Sequence, residues 1–258
     1  MSFAEKFRLD GKVAIITGVG PTNGQSFAKA LAEAGAKLCL VARSATVTAP
    51  LVEQIVGAGG AAISLQADLT DPASAPRIVE KCCNAFGCVD ILFSHSGGVG
   101  PLADIYDVDD GDWDKVLRMN LHSAFYLTKA ASRAMISGGR GGSIVYTSST
   151  ASVMTPPKLT SYSVAKAAVS QLARCTAVEL APHGIRVNAI MLGTFENAGP
   201  SIGRIAEGYR EWWLKETPLA RFGNADEAGA AALFLASDAS SYVTGTVLRV
   251  TGGIALFG

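Results

Sequence analysis

The chain has 258 residues, with 22 Lys and Arg against 22 Asp and Glu, and 49% of its residues are hydrophobic. Its length suits one large domain or two small ones, its low charged fraction of 17% excludes intrinsic disorder, and its net charge of zero argues against a nucleic-acid partner. No uncharged apolar stretch approaches the roughly 18 residues of a membrane span, and the N-terminus has no signal-peptide pattern, so we expect a soluble, cytoplasmic protein without a membrane partner.

Short β-branched runs alternate with longer Ala-rich stretches of helical periodicity along the chain. This alternation predicts an α/β fold, a doubly wound parallel sheet with helices on both faces and ligands at the carboxyl ends of its strands. The predicted strands are Lys12–Thr17, Lys37–Ala42, Ala61–Gln66, Val89–Ser94, Gly142–Ser148, Arg186–Met191 and Val247–Val250. The predicted helices are Gly24–Ala34, Ala49–Gly57, Pro72–Phe86, Asp112–Ile136, Thr160–Pro182 and Asp226–Ser237.

One long segment, Gly193 to Arg221, lacks a strand and is rich in glycine and aromatic residues. Such an insertion in an α/β domain is typical of a substrate lid or a binding loop. Its apolar residues either pack the lid onto the core or line a pocket. They are Phe195, Ile202, Ile205, Tyr209, Trp212 and Trp213.

The five cysteines include no CxxC pair, and the chain has only three histidines. We therefore predict neither a disulfide framework nor a metal site. Cys39 lies in an apolar run and Cys175 in a helical pattern, so we expect both to be small buried hydrophobic residues.

A glycine-rich turn, Thr17 to Gly24, joins the first strand to the first helix. Glycines let the backbone approach a pyrophosphate, and the helix N-terminus supplies free N–H groups and a partial positive charge. An ordinary strand-to-helix turn would have a similar sequence, but two later strand ends support a dinucleotide site. Arg43 is placed to reach a ribose phosphate, and Asp68 to bind the adenine.

Tyr162 and Lys166 are four residues apart in a predicted helix, which puts them side by side on one face. A phenol has an unperturbed pKa of about 10, and an adjacent ammonium favours the phenolate. The pair is therefore interpreted as a general acid/base and the group that tunes its pKa. An isolated pair at this spacing would more often be two unrelated surface residues.

Taken together, these motifs resemble the short-chain dehydrogenase/reductase family over nearly the whole chain. The matching segments, in order, are Thr17 to Gly24, Asp68, Ser94-His95-Ser96-Gly97, Asn120, Ser149, Tyr162 with Lys166, and Ser237 to Gly245. The resemblance implies a single Rossmann-fold domain over residues 1–258 with a seven-stranded sheet, and a 3-oxoacyl reductase-like oxidoreductase that uses a nicotinamide cofactor. It also implies a homotetramer in which the two longest helices pair between subunits and the last strand and the tail from Gly252 to Gly258 form the other interface.

The resemblance implies a catalytic tetrad of Asn120, Ser149, Tyr162 and Lys166. Hydride would pass between the nicotinamide C4 and a carbonyl or carbinol carbon while Tyr162 carries the proton. Ser149 would hold the carbonyl oxygen, Lys166 would bind ribose hydroxyls, and Asn120 would position a water. No metal ligand is implied. The implied cofactor-binding residues are Thr17, Gly18, Gly20, Thr22, Asn23, Gly24, Arg43, Ser44, Asp68, Leu69, Ser96, Gly97, Tyr162, Lys166, Gly193 and Thr194.

The end of the second strand predicts the cofactor. NAD-specific sites place a carboxylate there for the ribose 2′-hydroxyl, whereas this chain has the neutral Ala42 followed by Arg43 and Ser44. A guanidinium fork matches phosphate geometry, so NADP(H) is favoured over NAD(H).

Five residues in three motifs depart from the family pattern. Thr22 replaces a glycine, so the turn either sits further from the cofactor or donates its hydroxyl to a phosphate. Ser94-His95-Ser96 replaces Asn-Asn-Ala, and His95 is either a second acid/base group or, more often at such a strand end, a spacer lining the cofactor cleft. Leu192 replaces a proline facing the nicotinamide.

Three function classes remain open: an oxidoreductase, a redox-neutral lyase or epimerase on the same fold, and a cofactor sensor without catalysis. The complete tetrad argues against a sensor, and the short segment after the last strand argues against the lyases and epimerases, which generally have an enlarged C-terminal substrate domain. Leu192, Met154 and Pro156 near the mouth of the cleft, together with the lid, predict a small-molecule substrate that is an apolar alicyclic or aromatic ketone or alcohol.

Overall fold

The computed structural model of the chain describes residues 2–154, 156–196 and 209–255. The strands are β1 (Val13–Thr17), β2 (Lys37–Ala42), β3 (Ala62–Gln66), β4 (Ile91–Ser94), β5 (Gly142–Ser149), β6 (Ile185–Leu192) and β7 (Val247–Val250). The helices are α1 (Asn23–Glu33), α2 (Ala45–Gly57), α3 (Ser74–Phe86), α4 (Asp110–Leu117), α5 (Ser123–Gly138), α6 (Thr160–Leu180), α7 (Tyr209–Glu216) and α8 (Ala225–Ala236). The seven strands are all parallel, in the order β3-β2-β1-β4-β5-β6-β7, which confirms the predicted Rossmann-type fold.

Neighbouring residues of a strand face opposite sides of the sheet, and both sides are covered by helices. Ile16 belongs to the cluster that includes Phe27 of α1, while Ile15 belongs to the cluster that includes Leu127 of α5. Every residue of β1 is buried for this reason. The chain changes direction across the sheet between β1 and β4, so a crevice opens at the carboxyl ends of these strands.

Two predicted helices differ from those observed by more than a shift of one or two residues at an end. Helix α2 begins at Ala45, four residues before the predicted start, because the Ser44 hydroxyl caps it by accepting from the Thr46 amide at 3.3 Å. The predicted single helix Asp112–Ile136 is divided into α4 and α5 by a π-helical turn, Arg118–His122.

One of the two cysteine predictions is confirmed and the other is wrong. Cys39 is buried in β2 as predicted, but Cys175 is exposed, so that expectation is wrong. Helix α6 buries the stripe that contains Val169, Ala173 and Ala177, and Cys175 lies outside it.

The predicted lid contains α7, while Ile202 and Ile205 lie outside the described residues, as does the end of the predicted interface tail beyond residue 255. Among the described residues, no helix is both long enough and apolar enough to cross a membrane.

Candidate active site

Lys166 lies at the centre of the crevice, on α6 and only 4% exposed. Its Nζ donates to the carbonyl oxygen of Thr147 on β5 at 2.9 Å. Burial lowers the pKa of this ammonium to about 8.

Tyr162 lies one helical turn before Lys166. The Lys166 Nζ is 5.6 Å from the centroid of the Tyr162 ring, so the two side chains share a helix face as their spacing predicts. Ser149 is the last residue of β5, and its hydroxyl accepts from the Ala151 amide at 3.2 Å, at the start of a short 3-10 turn against which α6 packs. Tyr162 and Ser149 are therefore held on two elements that contact each other.

Asn120 lies in the π-helical turn and is almost completely buried. Its Nδ2 donates to the carbonyl oxygens of Val116 and Gly98, both at 2.9 Å, and its Oδ1 accepts from the Gly98 amide at 3.3 Å. An amide side chain that bonds a carbonyl of its own helix competes with the regular backbone pattern. This competition accounts for the break between α4 and α5, and it fixes Asn120 against the loop after β4.

Gly97 marks the place where Asn120 and Lys166 converge. A Cβ at this position would overlap the Asn120 Oδ1 and would lie 3.3 Å from the Lys166 Nζ. The structure therefore brings Asn120 and Lys166 together beside one glycine.

The glycine turn after β1 fits a dinucleotide pyrophosphate. Gly18 has a φ of +68°, and a Cβ there would lie 2.7 Å from the His95 carbonyl oxygen. Thr22 precedes α1 without forming a side-chain cap, so its hydroxyl does not compete with an anion for the amides at this helix end. Among the described residues, the buried Oδ1 of Asn23 is one of the few side-chain atoms without a hydrogen-bond partner.

Thr17 ties this turn to the loop after β4, because its hydroxyl accepts from the amides of His95 at 3.1 Å and Ser96 at 3.3 Å. Gly20 donates its amide to the Gly18 carbonyl at 2.7 Å, and Gly24 packs so closely on Gly18 that a Cβ would overlap it. The predicted pyrophosphate residues are therefore one continuous backbone cradle.

The residues predicted to bind adenosine lie at the ends of β2 and β3. Asp68 accepts from the amide and the hydroxyl of Thr70 at 2.9 and 2.8 Å, and these bonds hold its pKa below the ordinary value, with a smaller contribution from the charge of Arg43. A cleft of about 730 Å³ extends from Arg43 and Asp68 along α3. Leu69 packs against the core beneath Asp68.

At the other end of the crevice, Gly193 donates its amide to the Val250 carbonyl at 3.0 Å, and a Cβ there would lie 2.9 Å from the Thr251 Cα. The Thr194 carbonyl accepts from the Gly223 amide at 3.0 Å. Both residues therefore fix the backbone where the predicted lid leaves β6.

Sequence reasoning missed three residues of this arrangement: Thr147, which holds Lys166, and Gly98 and Val116, which hold Asn120. Thr147 carried a signal, because it precedes Ser149 by two residues at the end of the predicted fifth strand. Gly98 and Val116 act through backbone atoms, which any residue type supplies.

Comparison with known proteins shows to which family the chain and its fold belong. Residues 22–255 match the family model described as enoyl-(acyl carrier protein) reductase. Galactitol 2-dehydrogenase of Cereibacter sphaeroides is 37% identical over 256 residues, 98% of each chain. A 3-oxoacyl acyl-carrier-protein reductase of Thermotoga maritima is 35% identical over 249 residues, 96% of this chain and 100% of the relative.

Among solved structures, a gluconate 5-dehydrogenase from Burkholderia cenocepacia in complex with NADP and tartrate matches with a TM-score of 0.91 at 33% identity, covering 97% of each chain. The chain belongs to the short-chain dehydrogenase/reductase family. Within that family it is an oxidoreductase.

Proposed function

We propose that this oxidoreductase interconverts a ketone and a secondary alcohol, with Tyr162 as the proton carrier. The observation that supports this most is the buried Lys166 ammonium beside the Tyr162 ring, held there by the Thr147 carbonyl. The nicotinamide cofactor supplies or accepts the hydride when it is bound. Tyr162 then gives its phenolic proton to the carbonyl oxygen in reduction, or takes the hydroxyl proton in oxidation.

The other tetrad residues support the same proton transfer. The Ser149 hydroxyl is placed to hold the substrate oxygen, and Lys166 binds ribose hydroxyls while its charge favours the phenolate of Tyr162. Asn120 positions a water between Lys166 and the solvent. The Gly98 backbone holds the buried side-chain amide of Asn120, so this water has a fixed hydrogen-bond partner.

The enzyme prefers NADP(H). Strand β2 ends at the neutral Ala42, and the exposed Arg43 follows it, close enough to Asp68 to affect its pKa. An exposed guanidinium at this strand end suits a ribose 2′-phosphate, and the absence of a carboxylate at residue 42 removes the group that would repel it. The Ser44 hydroxyl, which caps α2, adds a polar atom beside it.

The substrate is an apolar alicyclic or aromatic ketone or alcohol. A separate hydrophobic cluster joins the predicted lid to the segment that follows β5, with Trp213, Phe222 and Ile254 buried and Met154 and Leu214 packed against them. Met154 follows Ser149 by five residues, so this cluster brings apolar surface close to the reacting group. The segment 193–221 acts as the lid of a single domain, in a cytoplasmic homotetramer.

A second substrate class, polyols and sugar acids, is favoured by the relatives. Galactitol 2-dehydrogenase and gluconate 5-dehydrogenase are named for such substrates, and the latter was solved with tartrate. A polyol needs several hydrogen-bond partners around the reacting carbinol, whereas an apolar ketone needs few.

The test is a panel of cyclic and aromatic ketones and alcohols, quinones, steroids, sugar alcohols and sugar acids, assayed by nicotinamide absorbance with both cofactors. We expect the highest kcat/KM for an apolar ketone or alcohol with NADP(H). The highest value for a polyol or sugar acid would select the second class. Cofactor binding without turnover of any compound would instead support the sensor, and a redox-neutral product found by mass spectrometry would support a lyase or epimerase.

A further inference from the structure

His95 is a titratable residue in the crevice, and it has no role in the chemistry proposed for the tetrad. It directly follows β4, and its amide donates to the Thr17 hydroxyl at 3.1 Å. Its ring meets the edge of Phe27 at a centroid distance of 4.9 Å and an interplanar angle of 89°. Backbone and ring are thus both fixed.

The ring has a specific polar partner, since His95 Nδ1 lies 2.9 Å from the Thr147 Oγ1. Thr147 is also the residue whose carbonyl oxygen accepts from the Lys166 Nζ at 2.9 Å. One residue of β5 therefore contacts His95 through its side chain and the catalytic lysine through its backbone. Thr147 is 6% exposed, so water competes little for either contact.

The position of Thr147 in the sheet explains why such a contact matters. Strands β4 and β5 are paired from Ile91 opposite Ser143 to Ser94 opposite Tyr146, where this pairing ends. The next residues on the two strands are His95 and Thr147. Their side-chain hydrogen bond therefore continues the connection between the strands by one residue, at the point where the Thr147 carbonyl must face Lys166.

His95 is suited to hold Thr147 and unsuited to exchange protons at neutral pH. Burial, and to a smaller extent the charge of Lys166, lower its pKa to about 3, so the imidazole stays neutral over the working range. A neutral imidazole has one donor and one acceptor nitrogen, and a hydroxyl satisfies either. This argues for the spacer and against the second acid/base group that the sequence left open.

We propose that His95 is a positioning residue for Lys166: it anchors the Thr147 hydroxyl, and this fixes the carbonyl that holds the Lys166 Nζ beside Tyr162. The proposal rests on the proposed function for the role of Lys166. The family pattern has asparagine at this position, and asparagine also carries a donor and an acceptor, so His95→Asn is the conservative replacement.

The test compares His95→Leu, Thr147→Val, their double variant and His95→Asn, with Thr128→Val as a matched control. Thr128 hydrogen-bonds the hydroxyl of Tyr146, the residue before Thr147, at 2.7 Å in a buried position, and its other side-chain hydrogen bond goes to the Ala124 carbonyl rather than to the tetrad. Thr128→Val therefore removes a similar buried hydroxyl contact to the same strand. It leaves in place the contacts of Thr147 with His95 and Lys166.

The first readouts are the NADPH Kd from fluorescence titration, and kcat and KM with the best alcohol of the panel. We expect His95→Leu and Thr147→Val each to raise the Kd and lower kcat by about tenfold, the effect of one hydrogen bond, with the alcohol KM little changed. The double variant should be no worse than either single variant, because both act through one contact. His95→Asn should recover most of the loss, and Thr128→Val should behave as the wild type.

The second readout is the pH profile of alcohol oxidation, which needs the Tyr162 phenolate. A displaced Lys166 charge favours that phenolate less, so the rising limb should move to higher pH in His95→Leu and Thr147→Val and stay in place in the control. An unmoved limb, additive losses in the double variant, or an equal loss in Thr128→Val would each overturn the proposal.

Failure of the proposed function gives a different result. A wild-type enzyme that binds NADPH but oxidises no alcohol refutes the reaction alone, and the Kd comparison then decides the role of His95. A wild type that binds neither nicotinamide cofactor refutes both.

Discussion

At the residue scale, the proposed chemistry depends on a phenol and an ammonium placed one helical turn apart. Tyr162 and Lys166 are close enough for the charge to act on the ring, and Lys166 is shielded from water that would screen this charge. The hydroxyl of Tyr162 is the atom whose loss should affect the proton transfer without affecting the packing.

Tyr162→Phe should therefore keep the fold and the cofactor affinity while kcat falls by about 10²–10⁴-fold, the usual contribution of a positioned acid/base. Lys166→Ala should weaken both cofactor binding and turnover. The measurements are kcat and the cofactor Kd of each variant, with the fully exposed Tyr242→Phe as control. More than about a third of the activity remaining in Tyr162→Phe would contradict the assignment.

The pKa of Lys166 makes the stability of the protein depend on pH. Burial lowers this pKa from 10.5 to about 8, so between these values the unfolded chain binds more protons than the folded protein. The free energy of unfolding should rise with pH across this window, by up to about 3 kcal/mol for this group alone, because the cost of burying the charge disappears.

Denaturant unfolding of the wild type and of Lys166→Met, at about pH 7.5 and about pH 9.5, isolates this contribution from those of other titrating groups. Lys166→Met should be the more stable protein at the lower pH, and the difference should shrink at the higher pH. A constant difference would show that Lys166 does not titrate in this range.

In the proposed function, Arg43 determines the choice of cofactor. A charge-assisted contact to the 2′-phosphate contributes roughly 1.5–3 kcal/mol, so Arg43→Ala should raise the NADPH KM by about 10–100-fold. The NADH KM should stay nearly the same, because the 2′-hydroxyl gives the guanidinium no such partner. A wild-type kcat/KM that is higher with NADH than with NADPH would defeat the assignment.

At the scale of elements, β6 and α8 are joined by one arginine at the amino end of the sheet. Arg186 donates to the carbonyl oxygens of Leu235 at 3.0 Å and Ser237 at 3.1 Å, and to the Ser240 hydroxyl at 2.7 Å. The Leu235 carbonyl, at the end of α8, also accepts from the hydroxyls of Ser143 at 2.8 Å and Ser240 at 3.1 Å, so Arg186 is one of several donors at this helix end. This connection holds the helix that covers one face of the sheet.

Arg186→Met should lower the free energy of unfolding by about 1.5–3 kcal/mol, because it removes the hydrogen bonds of a partly buried guanidinium that joins β6 to α8. Arg77→Met is the control, since Arg77 pairs with Asp71 at the surface with 64% of its side chain exposed. That pair should contribute under about 1 kcal/mol. Urea unfolding followed by circular dichroism measures the free energy of unfolding of both variants. Equal losses would show that the contacts of Arg186 stabilise the protein no more than a surface ion pair does.

At the scale of the whole molecule, α5 and α6 keep apolar side chains on their outer surface. Phe125 is 47% exposed, Val164 is 44% exposed and Val178 is 77% exposed. Strand β7 pairs with β6 along one side only, among the described residues. These two surfaces support the proposed homotetramer, because each suits contacts around a two-fold axis.

Light scattering at micromolar concentration should give four times the chain mass of 26.6 kDa. Val178→Asp places a charge on each side of the helix interface, so it should reduce the assembly to a smaller species. Lys29→Asp, on α1 away from both surfaces, is the control and should leave the mass unchanged. A stable wild-type monomer would contradict the proposed assembly.

The amino-acid sequence by itself determined the parallel sheet, the glycine turn and the shared face of Tyr162 and Lys166. Each follows from a short-range pattern: apolar runs buried between two helical layers, glycines where the backbone turns sharply, and a four-residue helical spacing. Such patterns depend on neighbouring residues, which the sequence shows directly.

Only the tertiary structure decided the two contacts of Thr147, the π-helical turn at Asn120 and the exposure of Cys175. Thr147 meets His95 from another strand, 52 residues away along the chain, and Asn120 is held by Gly98, 22 residues away. Packing between elements also selects which stripe of α6 is buried, and this stripe leaves Cys175 in solvent. These features depend on which distant residues the fold brings together, and no local period of the sequence carries that information.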